Sequence, residues 1–388
     1  MKVRILSSLV SLCLVLSLCT PVARAAEKPQ INLAEKASSA IVIERDTGEI
    51  LFEKNSNEKL PPASMTKIMT MLLIMEAIDK GTLKYDDMVR TSEYAASMGG
   101  SQVFLEPGEE MSVSDMLKAI AIASGNDASV AMAEHIAGTE EEFVSMMNEK
   151  AKELGLVNTN FNNTNGLPAK DHYTTAHDLA VMSKELLKYE EITKFTGIYE
   201  DYLRENTDKR FWLVNTNKLV RFYPGVDGLK TGFTREAMYG LVATAMKNDM
   251  RIISVIMGAP SPKERNAQIT SMLDYAFGQF MTHKLYERDH QLTEVPVSKG
   301  DKKTVPVLTS ESVSLLTKKG EKIDDAIERH EIDTNLQAPV KKGDNIGKLI
   351  VEKDGKVLIS SPLVAGEDVG EASWWMMFKR VLSKFGAA

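Results

Sequence analysis

The run Lys67-Ile-Met-Thr-Met-Leu-Leu-Ile-Met-Glu76 predicts a helix that is apolar on nearly every face. It holds no Gly or Pro, and such a helix must be enclosed by the rest of the fold or by a membrane. Yet the chain enters it through Pro61-Pro62-Ala63-Ser64, and its first residue is Lys67. Lysine is among the side chains least often buried without a partner. Any fold for this sequence therefore has to seat a serine and a lysine, one helical turn apart, at the end of a buried element.

That placement has a chemical use. Residues three apart share a helix face, so Ser64 and Lys67 lie together. Desolvation and a neighbouring cation both depress a lysine pKa. A neutral lysine takes a proton from serine and makes a nucleophile without histidine. The same residues also describe a capping serine followed by a lysine that snorkels to solvent. Ser56-Asn-Glu-Lys59 repeats the Ser-x-x-Lys spacing in a polar stretch. There both side chains are expected to be solvated, and the lysine stays protonated near its usual value of about 10.4.

Two further clusters bear on the choice. Ala119-Ile-Ala-Ile-Ala-Ser124-Gly-Asn126-Asp127 interrupts an apolar helix with a short polar loop and opens another helix. It reads as a helix-turn-helix capped by Asn126 or Asp127, or as a Ser124 hydroxyl and an Asn126 amide aimed into a cleft. Pro224-Gly-Val-Asp-Gly-Leu-Lys230-Thr231-Gly232-Phe233-Thr234 precedes β-type sequence. It reads as a surface strand with a lysine. Alternatively, glycine admits a ligand close to the strand backbone, while Lys230 and Thr231 offer a charge and a hydroxyl to a carboxylate.

The 388 residues are 43% apolar and 26% charged, the balance of a soluble globular protein long enough for two domains. Lys2, Arg4, the apolar run Ile5 to Cys19 and Ala23-Arg24-Ala25 describe a signal peptide, residues 1–25, cleaved after Ala25 or Ala26. An uncleaved anchor and a lipoprotein site at Cys19 are the alternatives. The run is short for a bilayer span, and bulky Leu18 precedes Cys19. Both cysteines, Cys13 and Cys19, fall in this segment, so the exported chain relies on packing and not on disulfides. Its loss removes three cations and takes the net charge from −7 to −10. An acidic chain without a long basic run gives no support for nucleic-acid binding.

Ala40–Glu44, Asp46-Thr-Gly48 and Ile50–Lys54 read as a hairpin. Helical signals run from about 86 to 189, with Thr139 and Thr175 as caps, the second helix extending through Leu187. Strand patterns return at Gly240–Ala245 and Arg251–Met257, before a helix over Ile269–Phe280. The order predicts an α+β domain with an inserted helical subdomain. From 292 to 366 short β runs, Thr304–Leu308 and Lys348–Glu352 among them, with a turn at Asp354-Gly355, predict a small all-β domain. In residues 367–388, Trp374, Trp375, Phe378, Val381, Leu382 and Phe385 share one helix face, with Lys379, Arg380 and Lys384 off it. Such a helix lies in a membrane interface or docks on its own protein.

Ser-x-x-Lys, Ser-x-Asn and Lys-Thr-Gly, in this order, are the set found in penicillin-binding proteins and β-lactamases. With Phe161-Asn-Asn-Thr-Asn-Gly-Leu167, the full-length layout resembles the low-molecular-mass penicillin-binding proteins, the serine D-alanyl-D-alanine carboxypeptidases of the penicillin-binding protein 5 kind. Relatives commonly show Ala-Gly where this chain has Ala237-Met238. The resemblance implies a penicillin-binding transpeptidase/β-lactamase-like fold over residues 26–291, an antiparallel sheet flanked by helices. It implies Ser64 as nucleophile, Lys67 as general base and Ser124 as proton carrier to the leaving D-alanine. Asn126 would orient Lys67 and the substrate, and Lys230, Thr231 and Gly232 would bind the terminal carboxylate end. The N–H groups of Ser64 and Phe233 would form the oxyanion hole. The implied partners are peptidoglycan stem peptides ending in D-Ala-D-Ala, β-lactams as covalent inhibitors, and a membrane surface on the outer face of the cytoplasmic membrane.

A D,D-endopeptidase or transpeptidase fits the same motifs. A class A β-lactamase does not, since no Glu stands four residues before an Asn between Ser124 and Lys230. The six histidines form no His-Glu-x-x-His pair, and no cofactor is expected.

Overall fold

The computed structural model describes residues 32–321, 326–353 and 355–385, with side chains to Arg380. Residues 1–25, expected to be a signal peptide, and Asp354 lie outside the described residues. So do the Val381, Leu382, Lys384 and Phe385 side chains.

The consecutive β-branched residues Ile41-Val42-Ile43 make Ser39–Glu44 a wholly buried strand, which pairs antiparallel with Ile50–Lys54 across a turn where Gly48 takes φ 72°. These strands join three later ones in an antiparallel sheet. Its order is Ile50–Lys54, Ser39–Glu44, Met250–Ala259, Met238–Lys247, Val226–Thr234. The Lys-Thr-Gly strand is thus an edge, with one side free to pair with an extended peptide. All but one residue of Met250–Ala259 are buried, as in a strand covered on both faces. Pro262–Gln279 packs on Met238–Lys247 and Met250–Ala259, while Ala176–Leu186 packs on Met250–Ala259 and Ser39–Glu44.

The helix Lys67–Asp79 is the centre of the molecule. Every residue from Lys67 to Glu76 is buried, because the helices Val113–Ala121, Asn126–Ala137, Glu140–Glu153 and Ala176–Leu186 surround it. Thr139 and Thr175 cap the last two of these, accepting from the N–H of Glu142 and Asp178.

Three details differ from the sequence reading. The 86–189 stretch also contains a small antiparallel pair, Met88–Arg90 with Glu110–Ser112, and long connecting loops. The helix expected from Ile269 begins at Pro262, capped by Ser261, since proline at a first turn gives up an N–H that has no helical acceptor anyway. It ends at Gln279, and Phe280 already opens a strand paired with Val313–Lys318. Finally, Ser56 is buried against Glu53 instead of solvated, while Lys59 is exposed over the Tyr173 ring.

The C-terminal part is all-β to residue 365, with a six-stranded sheet around a core of Val305, Val307, Leu349 and Leu363. A polar seam ties it to the first part. Ser314 donates to Asp46, Arg288 donates to the Lys188 carbonyl at 2.9 Å, and Glu311 lies 3.8 and 3.7 Å from Lys184 and Lys188. A cavity of about 390 Å³ opens along this seam, at the Asp79 end of the central helix, and none of the motif side chains line it. No described helix is long and apolar enough to cross a membrane.

Candidate active site

Ser64 sits on a 3-10 turn, Ala63–Thr66, that runs into the central helix. The turn is pressed between two glycines. A Cβ on Gly232 would stand 2.8 Å from the Pro62 carbonyl oxygen, so glycine lets the edge strand lie against the turn. Gly166, at φ 87°, faces it from the other side, and a Cβ there would overlap the Ala63 carbonyl.

Lys67 is wholly buried, its Nζ 3.3 Å from Ser64 Oγ. It donates to Asn126 Oδ1 at 2.6 Å and to the Asn165 carbonyl at 2.8 Å. Burial, and then the nearby Lys230 charge, hold its amine well below the usual lysine range, with Asp127 acting in the opposite direction. A neutral amine has two N–H bonds and one lone pair. Two carbonyl-type acceptors use the two N–H bonds, which turns the lone pair to the Ser64 hydroxyl. The Asn126 orientation is fixed by its own amide, which donates to the Gly99 carbonyl at 2.7 Å.

Ser124 and Asn126 reach this point because the apolar helix stops at Ala121 and the next begins at Asn126. Gly125 occupies the cap position and no side chain caps this helix, so Asn126 and Asp127 are free for other contacts. Ser124 holds a left-handed conformation, φ 65°, and its buried hydroxyl has no hydrogen-bond partner among the described residues. Strain of this kind in a non-glycine residue concentrates at functional sites. The buried Asp127 carboxylate accepts from the N–H groups of Val103, Leu105 and Ala128, fixing the loop around Asn126.

On the facing wall Lys230 is buried and donates to the Thr231 carbonyl at 3.1 Å. Burial, with the Arg265 guanidinium nearby, lowers its pKa to about 7. Arg265 is itself buried and lowered to about 10, chiefly by desolvation. Thr231 Oγ1 donates to Thr216 Oγ1 at 2.8 Å. Phe233 is half exposed and stacks on Tyr239, 4.3 Å between ring centres. The edge strand and the turn thus bring all three motifs to one cleft.

Several residues of this cleft had no assigned role in the sequence reading. Asn165 lies in the Phe161–Leu167 run and acts through its carbonyl, which side-chain identity cannot announce. Thr216 and Arg265 approach from segments with no motif of their own. His172 stands behind the turn, its Nε2 2.8 Å from Thr66 Oγ1 and its Nδ1 accepting from the Asn162 N–H at 3.0 Å.

Comparison with known proteins agrees with this geometry. The D-alanyl-D-alanine carboxypeptidase family matches residues 23–261, and the C-terminal domain of penicillin-binding protein 5 matches residues 280–371. The D-alanyl-D-alanine carboxypeptidase DacF of Bacillus subtilis is 62% identical over 90% of this chain and 90% of its own. Penicillin-binding protein 5 from Haemophilus influenzae superposes with a TM-score of 0.67 at 34% identity, covering 89% of this chain and 99% of that one. Penicillin-binding protein D2 from Listeria monocytogenes, in its ampicillin-bound form, gives 0.54 at 31% identity over 62% of this chain and 98% of its own. With a serine and a buried lysine side by side beneath a Lys-Thr-Gly edge strand, the chain belongs to the low-molecular-mass D-alanyl-D-alanine carboxypeptidases, serine hydrolases of the penicillin-binding protein 5 kind.

Proposed function

We propose that this carboxypeptidase works through an acyl-enzyme on Ser64, and that its substrate is the peptidoglycan stem peptide ending in D-Ala-D-Ala. Neutral Lys67 takes the Ser64 proton as Oγ attacks the carbonyl carbon between the two D-alanines. The N–H groups of Ser64 and Phe233 receive the developing oxyanion, a contribution of about 3 kcal/mol per donor. As the C–N bond breaks, the proton passes from Lys67 through the unpartnered Ser124 hydroxyl to the departing D-alanine nitrogen. Water then attacks the ester, Lys67 again serving as base, and Ser64 regains its proton.

Asn126 holds Lys67 and presents its amide to the substrate backbone. Lys230, Thr231 and Gly232 receive the terminal carboxylate, which restricts the enzyme to free C-termini. An anion beside Lys230 favours the charged ammonium, so binding raises a pKa that burial had lowered. β-Lactams, like the ampicillin of the Listeria relative, acylate Ser64 by the same route.

The observation that carries this reading is the Lys67 amine, buried 3.3 Å from Ser64 Oγ with both its N–H directions used. Intact-mass measurement after incubation with penicillin, with D-alanine release assayed in parallel, tests it. Ser64→Ala should abolish adduct and release, and Lys67→Ala should slow acylation by at least about a hundredfold. An undiminished adduct in either variant overturns the assignment.

We also place the mature enzyme outside the cytoplasmic membrane, resting on it through the Trp374–Phe385 helix. Trp374, Trp375, Met376 and Phe378 are exposed, and Lys379 lies over the Trp375 ring. Arg380 donates to the carbonyls of Gly300 and Asp301, joining the helix to the β domain. The mature chain should sediment with anionic vesicles and the Trp374→Ala/Trp375→Ala variant should not. Equal sedimentation removes the anchor.

A further inference from the structure

We infer that Glu140 is a positioning residue for the reaction: its buried carboxylate clamps together the two loops that fix the hydrogen-bond acceptors of Lys67. The inference rests on the proposed function, in which Lys67 is the base. Glu140 belongs to none of the three motifs and acts on Lys67 only through other residues.

Glu140-Glu141-Glu142 opens the helix Glu140–Glu153, where negative charge suits the positive end of the helix dipole. Glu141 and Glu142 serve that end from solvent, whereas Glu140 is only 7% exposed. A carboxylate taken out of water has to be compensated by hydrogen bonds or a cation. Here neutral donors do it. Oε1 accepts from the Thr164 N–H at 2.9 Å and from the Thr164 hydroxyl at 2.8 Å, and Oε2 accepts from the Tyr94 hydroxyl at 2.8 Å. The carboxylate thus bridges segments that lie 24 and 46 residues away in the chain.

Both segments lead to the base. Thr164 is wholly buried, and its carbonyl accepts at 2.6 Å from the hydroxyl of Thr70, one turn beyond Lys67 in the central helix. The next carbonyl, that of Asn165, takes one Lys67 N–H. Tyr94 lies in the short helix Glu93–Ala96. The chain continues from there to Gly99, whose carbonyl orients Asn126, the acceptor of the other N–H. Met98 Sδ stands 3.9 Å from Asn165 Nδ2, so the two loops also touch each other.

Such a clamp matters because the Lys67 lone pair points wherever the two N–H bonds leave it. A shift of either acceptor turns it away from Ser64 Oγ, and misplacement of about 1 Å at a reacting group costs up to about a hundredfold in rate. The Tyr94 arm persists far above neutral pH. Its hydrogen bond to Glu140, with burial and the neighbouring glutamates, pushes the tyrosine pKa up to about 12, so the hydroxyl stays a donor.

The test is single-turnover acylation of the full mature enzyme by penicillin, which separates the initial binding constant from the rate constant of ester formation. Glu140→Ala should lower that rate constant at least about tenfold. The binding constant should stay within about twofold of the parent, because the carboxylate wall is untouched. Glu140→Gln keeps an acceptor for Thr164 and lets its amide donate to the Tyr94 oxygen, so the rate should return to within about threefold. Glu141→Ala removes the same charge from the same helix end and should change the rate by no more than about twofold. Tyr94→Phe cuts one arm at a residue that is 49% exposed, where the fold tolerates it, and should slow acylation about threefold. That variant decides the matter if Glu140→Ala does not fold. The clamp is overturned if Glu140→Ala or Tyr94→Phe acylates at the parent rate, or if Glu140→Gln or Glu141→Ala is as slow as Glu140→Ala. A loss confined to the binding constant overturns it too. Failure of the catalytic reading looks different: Lys67→Ala then acylates as fast as the parent.

Discussion

The ring of His172 and the hydroxyl of Thr66 meet at 2.8 Å and close a relay that ends on the nucleophile's own turn. Because Nδ1 accepts from the Asn162 N–H, the proton sits on Nε2 and is donated to Thr66, whose hydroxyl donates in turn to the Ala63 carbonyl at 2.9 Å. Ala63 needs that support, since it holds φ 47°, a left-handed conformation unfavourable for a residue with a Cβ.

Removing the ring should therefore loosen the turn. His172→Ala is expected to cost about 1–3 kcal/mol of stability through unsatisfied buried groups, and to slow penicillin acylation about tenfold. His172→Gln, which keeps a donor and an acceptor, should recover most of both. Burial lowers the His172 pKa to about 4, so between that value and about 6.5 the unfolded chain binds a proton that the folded chain does not. Stability should fall as pH drops through this window, and the Gln variant should show a flatter slope in denaturant titrations.

The pH dependence of catalysis follows from two lysines with opposite requirements. Lys67 must be neutral, so activity is lost as pH falls through its lowered pKa. Lys230 must be charged, so carboxylate binding is lost as pH rises through about 7 in the free enzyme. The profile of kcat/KM should be bell-shaped. Penicillin and peptide should share both limbs, while Lys230→Arg, always charged, should move the alkaline limb upward.

Asp127 offers a way to move the other limb. Its carboxylate raises the Lys67 pKa as well as holding the Val103–Leu105 loop. Asp127→Asn should shift the acidic limb of acylation to lower pH and, by turning an amide toward backbone N–H groups, cost about 2 kcal/mol. Thermal unfolding and acylation rates against pH measure the two effects separately.

Thr216 should act on binding. Thr216→Val leaves the Thr231 hydroxyl without its acceptor at 2.8 Å. A hydroxyl has one proton, so Thr231 must turn it from Thr216 to the carboxylate on binding. With that competing acceptor gone, KM for the peptide should fall severalfold with kcat little changed, since the carboxylate is held alike in ground and transition state. Steady-state kinetics decides it.

The departure from the family at Ala237-Met238 has a structural cost. Met238 follows the turn between the edge strand and its neighbour at φ 55°. Relief of a left-handed side chain is worth about 1–2 kcal/mol, against about 0.5–1 for the added freedom of glycine when unfolded. Met238→Gly should thus stabilise the enzyme by about 0.5–1 kcal/mol in chemical denaturation without altering acylation.

The central helix was legible because its enclosure is written in composition: ten successive residues without a solvent face force any fold to surround them. The capped helices at Thr139 and Thr175 and the strands around Ala243 and Val255 were legible for a similar reason, being local patterns with local causes. The Ser64, Ser124 and Lys230 motifs could be read as a set only because their order carries information that no single one has. Contacts made by backbone atoms and by residues without motifs were not legible. The Asn165 carbonyl on Lys67, the Thr216 hydroxyl under Thr231 and the His172 ring behind Ala63 depend on which loops the sheet and helices bring together. Sequence determined which groups were present and which element had to be buried. Tertiary structure alone decided that the buried amine keeps a lone pair for Ser64, because hydrogen-bond directions exist only once distant segments are packed.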